Sequence, residues 1–131
     1  MKDSKFSLMN KYTIIEPFDV LLIDFGSSSV RSHPKGKHPA IVITIDDRRS
    51  KKGYMMVVPI FRKPSYRGGD TDIMIRSLFC PGLHYDMYMN VTNIIGVERY
   101  RAERRIGRLK HPETKDQIKR ALLREVGGGD E

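Results

Sequence analysis

Short apolar blocks separated by polar stretches bearing glycine and proline dominate the chain, a pattern of strands and turns rather than of long helices. The clearest block is Val20-Leu21-Leu22-Ile23-Asp24-Phe25, closed by Gly26 and three serines, and it predicts a buried strand. A loop over residues 26–38, rich in Ser, Gly, Pro and basic side chains, separates it from Ala40-Ile41-Val42-Ile43-Thr44-Ile45. The β-branched side chains of that second block suit a pleated conformation. A charged turn over residues 46–53 leads to a strand over residues 54–60, where Pro59, lacking an N–H, predicts an edge or an irregular stretch. Further strands are expected at 73–76, after a loop over 62–72, and at 88–97, with Gly96 as a bulge position.

The period changes after residue 110. Pro112 suits the first turn of a helix, and Thr114 with Gln117 has the spacing of a capping box. Ile118, Leu122 and Val126 recur at helical spacing and are expected to face the sheet, before Gly127-Gly128-Gly129 ends the helix. Residues 1–17 read as a polar extension with a candidate edge strand at 12–15, residues 18–126 as one domain, and 127–131 as a tail. Several strands followed by one closing helix predict a compact α+β domain.

Composition narrows the picture. A chain of 131 residues, 39% of them hydrophobic, fits one domain with a modest core. No apolar run approaches the roughly 20 residues of a membrane-spanning helix, and the N-terminus lacks an apolar signal segment of about 7–15 residues. No membrane association or secretion is therefore expected. Cys80 is the only cysteine, which excludes an intrachain disulfide and any multi-cysteine metal site, and suits a cytoplasmic location.

The formal charge of +8 changes the functional question, because excess Lys and Arg attract polyanions. Basic residues cluster at 31–38, 48–52, 62–67 and 99–110, all on predicted connections. In a small barrel such connections can converge on one rim, with Phe61 and Tyr66 as stacking candidates. The competing reading is an evenly solvated basic surface in which Arg104 and Arg105 pair with Glu98 and Glu103. Asp46-Asp47 and Asp70-Thr71-Asp72 lack a partnering His/Cys cluster, and Gly68-Gly69 lacks the context of a phosphate loop. No metal and no cofactor are expected. A duplex DNA regulator is disfavoured, since no helix-turn-helix precedes the last helix.

Four blocks in order resemble the MazF/PemK family of toxin endoribonucleases. Phe18-Asp19-Val20-Leu21-Leu22-Ile23-Asp24-Phe25 is similar to the family's opening Gly-Asp-(Val/Ile) strand. Gly36-Lys37-His38-Pro39-Ala40-Ile41-Val42-Ile43 is similar to its Gly-x-Arg-Pro block. Met56-Val57-Val58-Pro59-Ile60 and Asn93-Ile94-Ile95-Gly96-Val97-Glu98-Arg99-Tyr100-Arg101 match two further blocks. The resemblance implies an SH3-like barrel with a C-terminal helix, a homodimer, cleavage of single-stranded RNA without a metal, and an acidic antitoxin as partner.

It also assigns the site. Metal-free cleavage uses the neighbouring 2′-hydroxyl as nucleophile, and it needs proton transfer and positive charge at the phosphate. The family's Arg falls here at His38 and its Thr/Ser at Phe61. An imidazole titrating near pH 6.5 shuttles protons better than a guanidinium. His38 is thus the candidate proton-transfer group, set against a solvated loop histidine beside Pro39. Arg31 and Lys37 are expected to clamp the phosphate, and Arg101 to support the groove. His33, Lys35, Phe61, Arg62, Tyr66 and Arg67 are the candidate RNA contacts. His84 reads as a loop residue and His111 as a helix cap. The alternative is a catalytically silent module that binds RNA or protein.

Overall fold

The computed structural model describes residues 7–8, 13–27, 33–46, 53–64 and 72–127. Among the described residues eight strands and one α-helix follow in chain order: β1 (Ser7–Leu8), β2 (Asp19–Asp24), β3 (Lys37–Ile45), β4 (Tyr54–Phe61), β5 (Asp72–Ile75), β6 (Met87–Asn90), β7 (Ile95–Glu98), β8 (Ala102–Arg108) and α1 (Pro112–Gly127). All strand pairs are antiparallel, in the order β1-β8-β2-β3-β4-β6-β5, with β7 also on β4. This is an α+β fold. The terminal strands β1 and β5 do not pair with each other, so among the described residues the sheet stays open where a closed barrel was expected.

Apolar alternation decides which side of each strand is buried. Val20, Ile41, Val58, Ile60, Ile73 and Ile75 join Ile118 and Ala121 of the helix in one core. Leu21, Ile23, Ala40, Val42, Val57 and Val97 pack in a second core with Ile15. Leu122 packs against the first core as the helical spacing predicts; the side chain of Val126 lies outside the described residues. Pro59 occupies the irregular stretch expected of it. On one side of β4 the pairing with β7 ends at Val57 and the pairing with β6 begins at Ile60, so the missing N–H falls between two ladders.

Several expectations are corrected. The strand expected over 88–97 is two strands, β6 and β7, split by a 3₁₀ turn at Val91–Asn93. Asn90 causes the break: its Oδ1 accepts from Thr92 N at 3.1 Å and from Thr92 Oγ1 at 2.7 Å, so the backbone turns instead of extending. Gly96 pairs with Met56 in regular register, not at a bulge. The helix is capped one turn earlier than Thr114. His111 Nδ1 accepts from Thr114 N at 3.3 Å and from Thr114 Oγ1 at 2.8 Å, placing Pro112 first in the helix. The edge strand expected at 12–15 is instead β1, and residues 13–16 run without strand pairing.

The stretch 99–110 is not a connection. Most of it is β8, and Arg99, Arg105 and Arg108 are structural ties. Asp19 is fully buried, and both Arg105 and Arg108 donate to its carboxylate, with Arg105 Nε at 3.2 Å. Arg105 therefore pairs with Asp19 and not with a neighbouring glutamate. Arg105 also donates to Ile14 O, and the buried Arg99 donates to Thr13 O at 2.8 Å, so two guanidinium groups fasten the segment ahead of β2. Phe18, at the position where the resemblance has glycine, takes a left-handed φ of 73°. Backbone bonds to Val42 and Leu109 on either side hold it there.

Candidate functional site

Residues directly opposite on paired strands share a face of the sheet. That rule assembles one continuous row from six strands: Ala102 lies beside Ile23, Ile23 beside His38, Phe61 beside Tyr88, and Tyr88 beside Met74. His38 and Phe61 complete it, their ring centroids 4.7 Å apart and tilted by 49°. Ile23 is sealed, His38, Phe61 and Tyr88 are half-buried, and Met74 is exposed. The row thus rises from the core to the surface, with the histidine where it emerges.

His38 stands on β3, not in the loop that the Gly-, Ser- and Pro-rich sequence suggested. The β2–β3 pairing runs on to Asp24 and Lys37, and Gly36, at a φ of 67°, makes the tight turn that allows it. His38 Nε2 lies 2.9 Å from Ile60 O. A carbonyl only accepts, so Nε2 carries the proton and Nδ1 keeps the ring's lone pair. Burial pushes the imidazole below its ordinary value near 6.5, and the bond to Ile60 opposes this only in part. The ring is therefore neutral at pH 7, with a base at Nδ1.

Lys37 points the other way along the strand alternation and pairs with Glu103 at 3.1 Å, on an exposed surface. Arg101 donates to Glu98 at 2.9 Å and to the backbone O of Asp24, the residue opposite Lys37 on β2, at 3.3 Å. Lys37, expected to clamp the phosphate, and Arg101, expected to support the groove, thus each have an acidic partner that was not expected of them. Arg62 follows Phe61 and lies over the exposed ring of Tyr85, 3.7 Å from its centroid. The loop carrying Tyr85 is tied down where Ser77 N donates to Asp86 Oδ1 at 2.8 Å. His33 is half-buried and Lys35 exposed, both ahead of β3. Arg31, Tyr66 and Arg67, like the turn cations Arg48, Arg49, Lys51 and Lys52, lie outside the described residues.

His84 is exposed, and His111 stacks on Phe79 at 3.7 Å while capping α1. Among the described residues no three His, Cys, Asp or Glu side chains converge as metal ligands would. Two aromatic residues at the site, Tyr85 and Tyr88, were missed from sequence. The signal for Tyr88 was available: it alternates with Met87 and Met89, so if those are core, the tyrosine faces out.

The arrangement offers aromatic faces, a neutral imidazole and nearby cations on one open surface. The family model described as the PemK-like, MazF-like toxin of type II toxin–antitoxin systems matches residues 16–125. No curated protein matches the chain.

Proposed function

The chain belongs to the family of PemK-like, MazF-like toxins of type II toxin–antitoxin systems, and from that premise we propose that it is an endoribonuclease cutting single-stranded RNA at His38. The observation that carries the reading is the meeting of His38 and Phe61, the two positions to which the resemblance assigns the family's catalytic side chains, on one solvent-facing row.

The chemistry follows from the tautomer. His38 Nδ1 takes the proton of the 2′-hydroxyl while the 2′-oxygen bonds to phosphorus. The bond from phosphorus to the 5′-oxygen breaks, and the imidazolium returns its proton to that leaving oxygen. The products are a 2′,3′-cyclic phosphate and a 5′-hydroxyl, with no redox change and no net proton uptake. Lys37, on the opposite face of β3 in an exposed and hence weak ion pair with Glu103, adds to the positive potential around the site. Arg31 is assigned as the phosphate clamp, and Arg101 supports the groove wall. Phe61 replaces a hydroxyl with a face for base stacking, worth ~1–3 kcal/mol. Arg62 and Tyr85 extend the stacking surface, and His33, Lys35, Tyr66 and Arg67 are assigned as further contacts to the strand. An acidic antitoxin segment occupies the same surface in the inhibited state, and the working unit in the cytoplasm is a homodimer.

A second reading is favoured by one specific observation. Phe61 packs on His38 without offering a hydroxyl, as expected of a member that binds RNA and no longer cuts it. Incubation with a long single-stranded RNA in EDTA separates the two. Discrete fragments ending in 2′,3′-cyclic phosphate support the nuclease; a salt-sensitive mobility shift with the RNA intact supports the binding module and overturns the nuclease.

A further inference from the structure

The row carrying His38 and Phe61 continues past them. Beyond Tyr88 and Met74 the surface opens into a groove of about 520 Å³, lined among others by Asp72, Met74, Arg76, Tyr88 and Gln117. That volume falls within the range of small-molecule sites, about 300–1,000 Å³. Alternation along β5 puts Asp72, Met74 and Arg76 on the groove side while Ile73 and Ile75 enter the core. Gln117 reaches the groove from α1, which packs over the same edge. Tyr88 stands two strand spacings from His38, roughly 10 Å, so a strand bound at His38 reaches the groove with a nearby nucleotide.

We propose that this groove is a guanine subsite for the RNA strand whose scissile phosphate lies at His38, an assignment that rests on the RNA-binding reading above. A carboxylate only accepts, through two oxygens side by side. Among the four bases, guanine alone presents two adjacent N–H donors, N1–H and the N2 amino group, on its pairing edge. Adenine and cytosine set a ring lone pair beside their amino group. Uracil flanks its single N–H with two carbonyls. Each of these would turn a lone pair toward the Asp72 carboxylate.

The remaining walls suit the same base. Asn90 Nδ2 donates to Asp72 Oδ1 at 3.2 Å and orients the carboxylate. Arg76 and Gln117 carry N–H donors for guanine O6 or N7. Tyr88 and Met74 offer an aromatic ring and a polarisable thioether to the flat face of the base.

The test uses the full chain labelled with ¹³C at its methionine methyl groups. It is titrated with four oligouridylates that carry G, A, C or U at one central position. The G-containing strand should bind about tenfold tighter than the others, the discrimination expected of one bidentate pair, and should move the Met74 methyl resonance. Asp72→Asn, nearly the same in shape, should reduce that preference to within about twofold. Equal binding of all four strands, a silent Met74 methyl, or an undiminished preference in Asp72→Asn overturns the subsite. If Asp72→Asn does not fold, Gln117→Ala takes its place, and a full guanine preference in that variant counts against the assignment. Failure of the nuclease reading looks different: long RNA stays intact while the guanine preference and the Met74 response persist. Loss of all RNA binding sinks both.

Discussion

His38 Nε2 donates to Ile60 O at 2.9 Å, while the ring of the next residue, Phe61, rests on the imidazole at 4.7 Å. One strand end therefore fixes both the tautomer and the tilt of the histidine. The carbonyl demands the proton on Nε2, and the half-buried setting keeps the ring uncharged. A base and an aromatic face are thereby presented together, from positions that are far apart in sequence.

Replacement of His38 by alanine should reduce cleavage of single-stranded RNA by about 10²–10⁴-fold, the usual contribution of a positioned general base. The far-UV circular dichroism spectrum should stay as it is, since the ring lies at the end of the core row. Undiminished cutting by the folded variant refutes the role of His38.

The depressed pKa of His38 sets a pH dependence of known sign. As pH falls below about 6.5, the unfolded chain takes up a proton that the folded chain still refuses. The stability tied to neutral His38 is complete above that value and is lost progressively below it, down to the lower folded pKa. Urea midpoints measured along an acid series should fall more steeply for the natural protein than for His38→Ala. Cleavage governed by the same base should hold down to about pH 6.5 and fall only in more acid solution. A half-point above 6.5 contradicts the assignment.

Asp19→Ala should cost about 3 kcal/mol in urea unfolding. That is the low end for breaking a buried ion pair, because Arg105 and Arg108 are partly exposed and can regain water. The same change removes the acceptor for Glu16 N. A loss below about 1 kcal/mol would mean that the two arginines hold β8 to β2 by packing alone.

Cys80 should resist thiol reagents in the native state. It is fully buried, and burial, with the Asp19 carboxylate adding to it, pushes its thiol up to about 11. Alkylation at pH 8 should follow global unfolding in urea. Rapid modification of the folded protein would show that the structure around Cys80 opens locally.

Strand positions were legible because short apolar blocks have few other uses in a basic chain of this size. Residues 20–25 and 40–45 became β2 and most of β3 for that reason. The errors have definite causes. Gly36 and Lys37 look like loop in composition, yet β2 pairs with β3 as far as Lys37, and this carries His38 onto the sheet. Asn90, Thr92 and Asn93 are polar positions in an otherwise apolar run, and only the bonds from Thr92 to Asn90 reveal that the strand breaks there. The cap at His111 was named from sequence, but the box at Thr114 and Gln117 was placed one turn too far along.

The sequence by itself determined the strand blocks, the closing helix, the family and the pair of positions to watch, because each of these is written in local residue types and their order. Only the tertiary structure decided what the charges do. Whether a basic side chain is a structural tie or a contact for a polyanion depends on which carboxylate the fold sets beside it. Asp19 claims Arg105 and Arg108 and Glu103 claims Lys37 across the sheet, while Glu98 claims Arg101 from three residues away. The row from His38 through Phe61 and Tyr88 to Met74 was likewise invisible in the chain order, because strand register, not sequence spacing, sets those neighbours side by side.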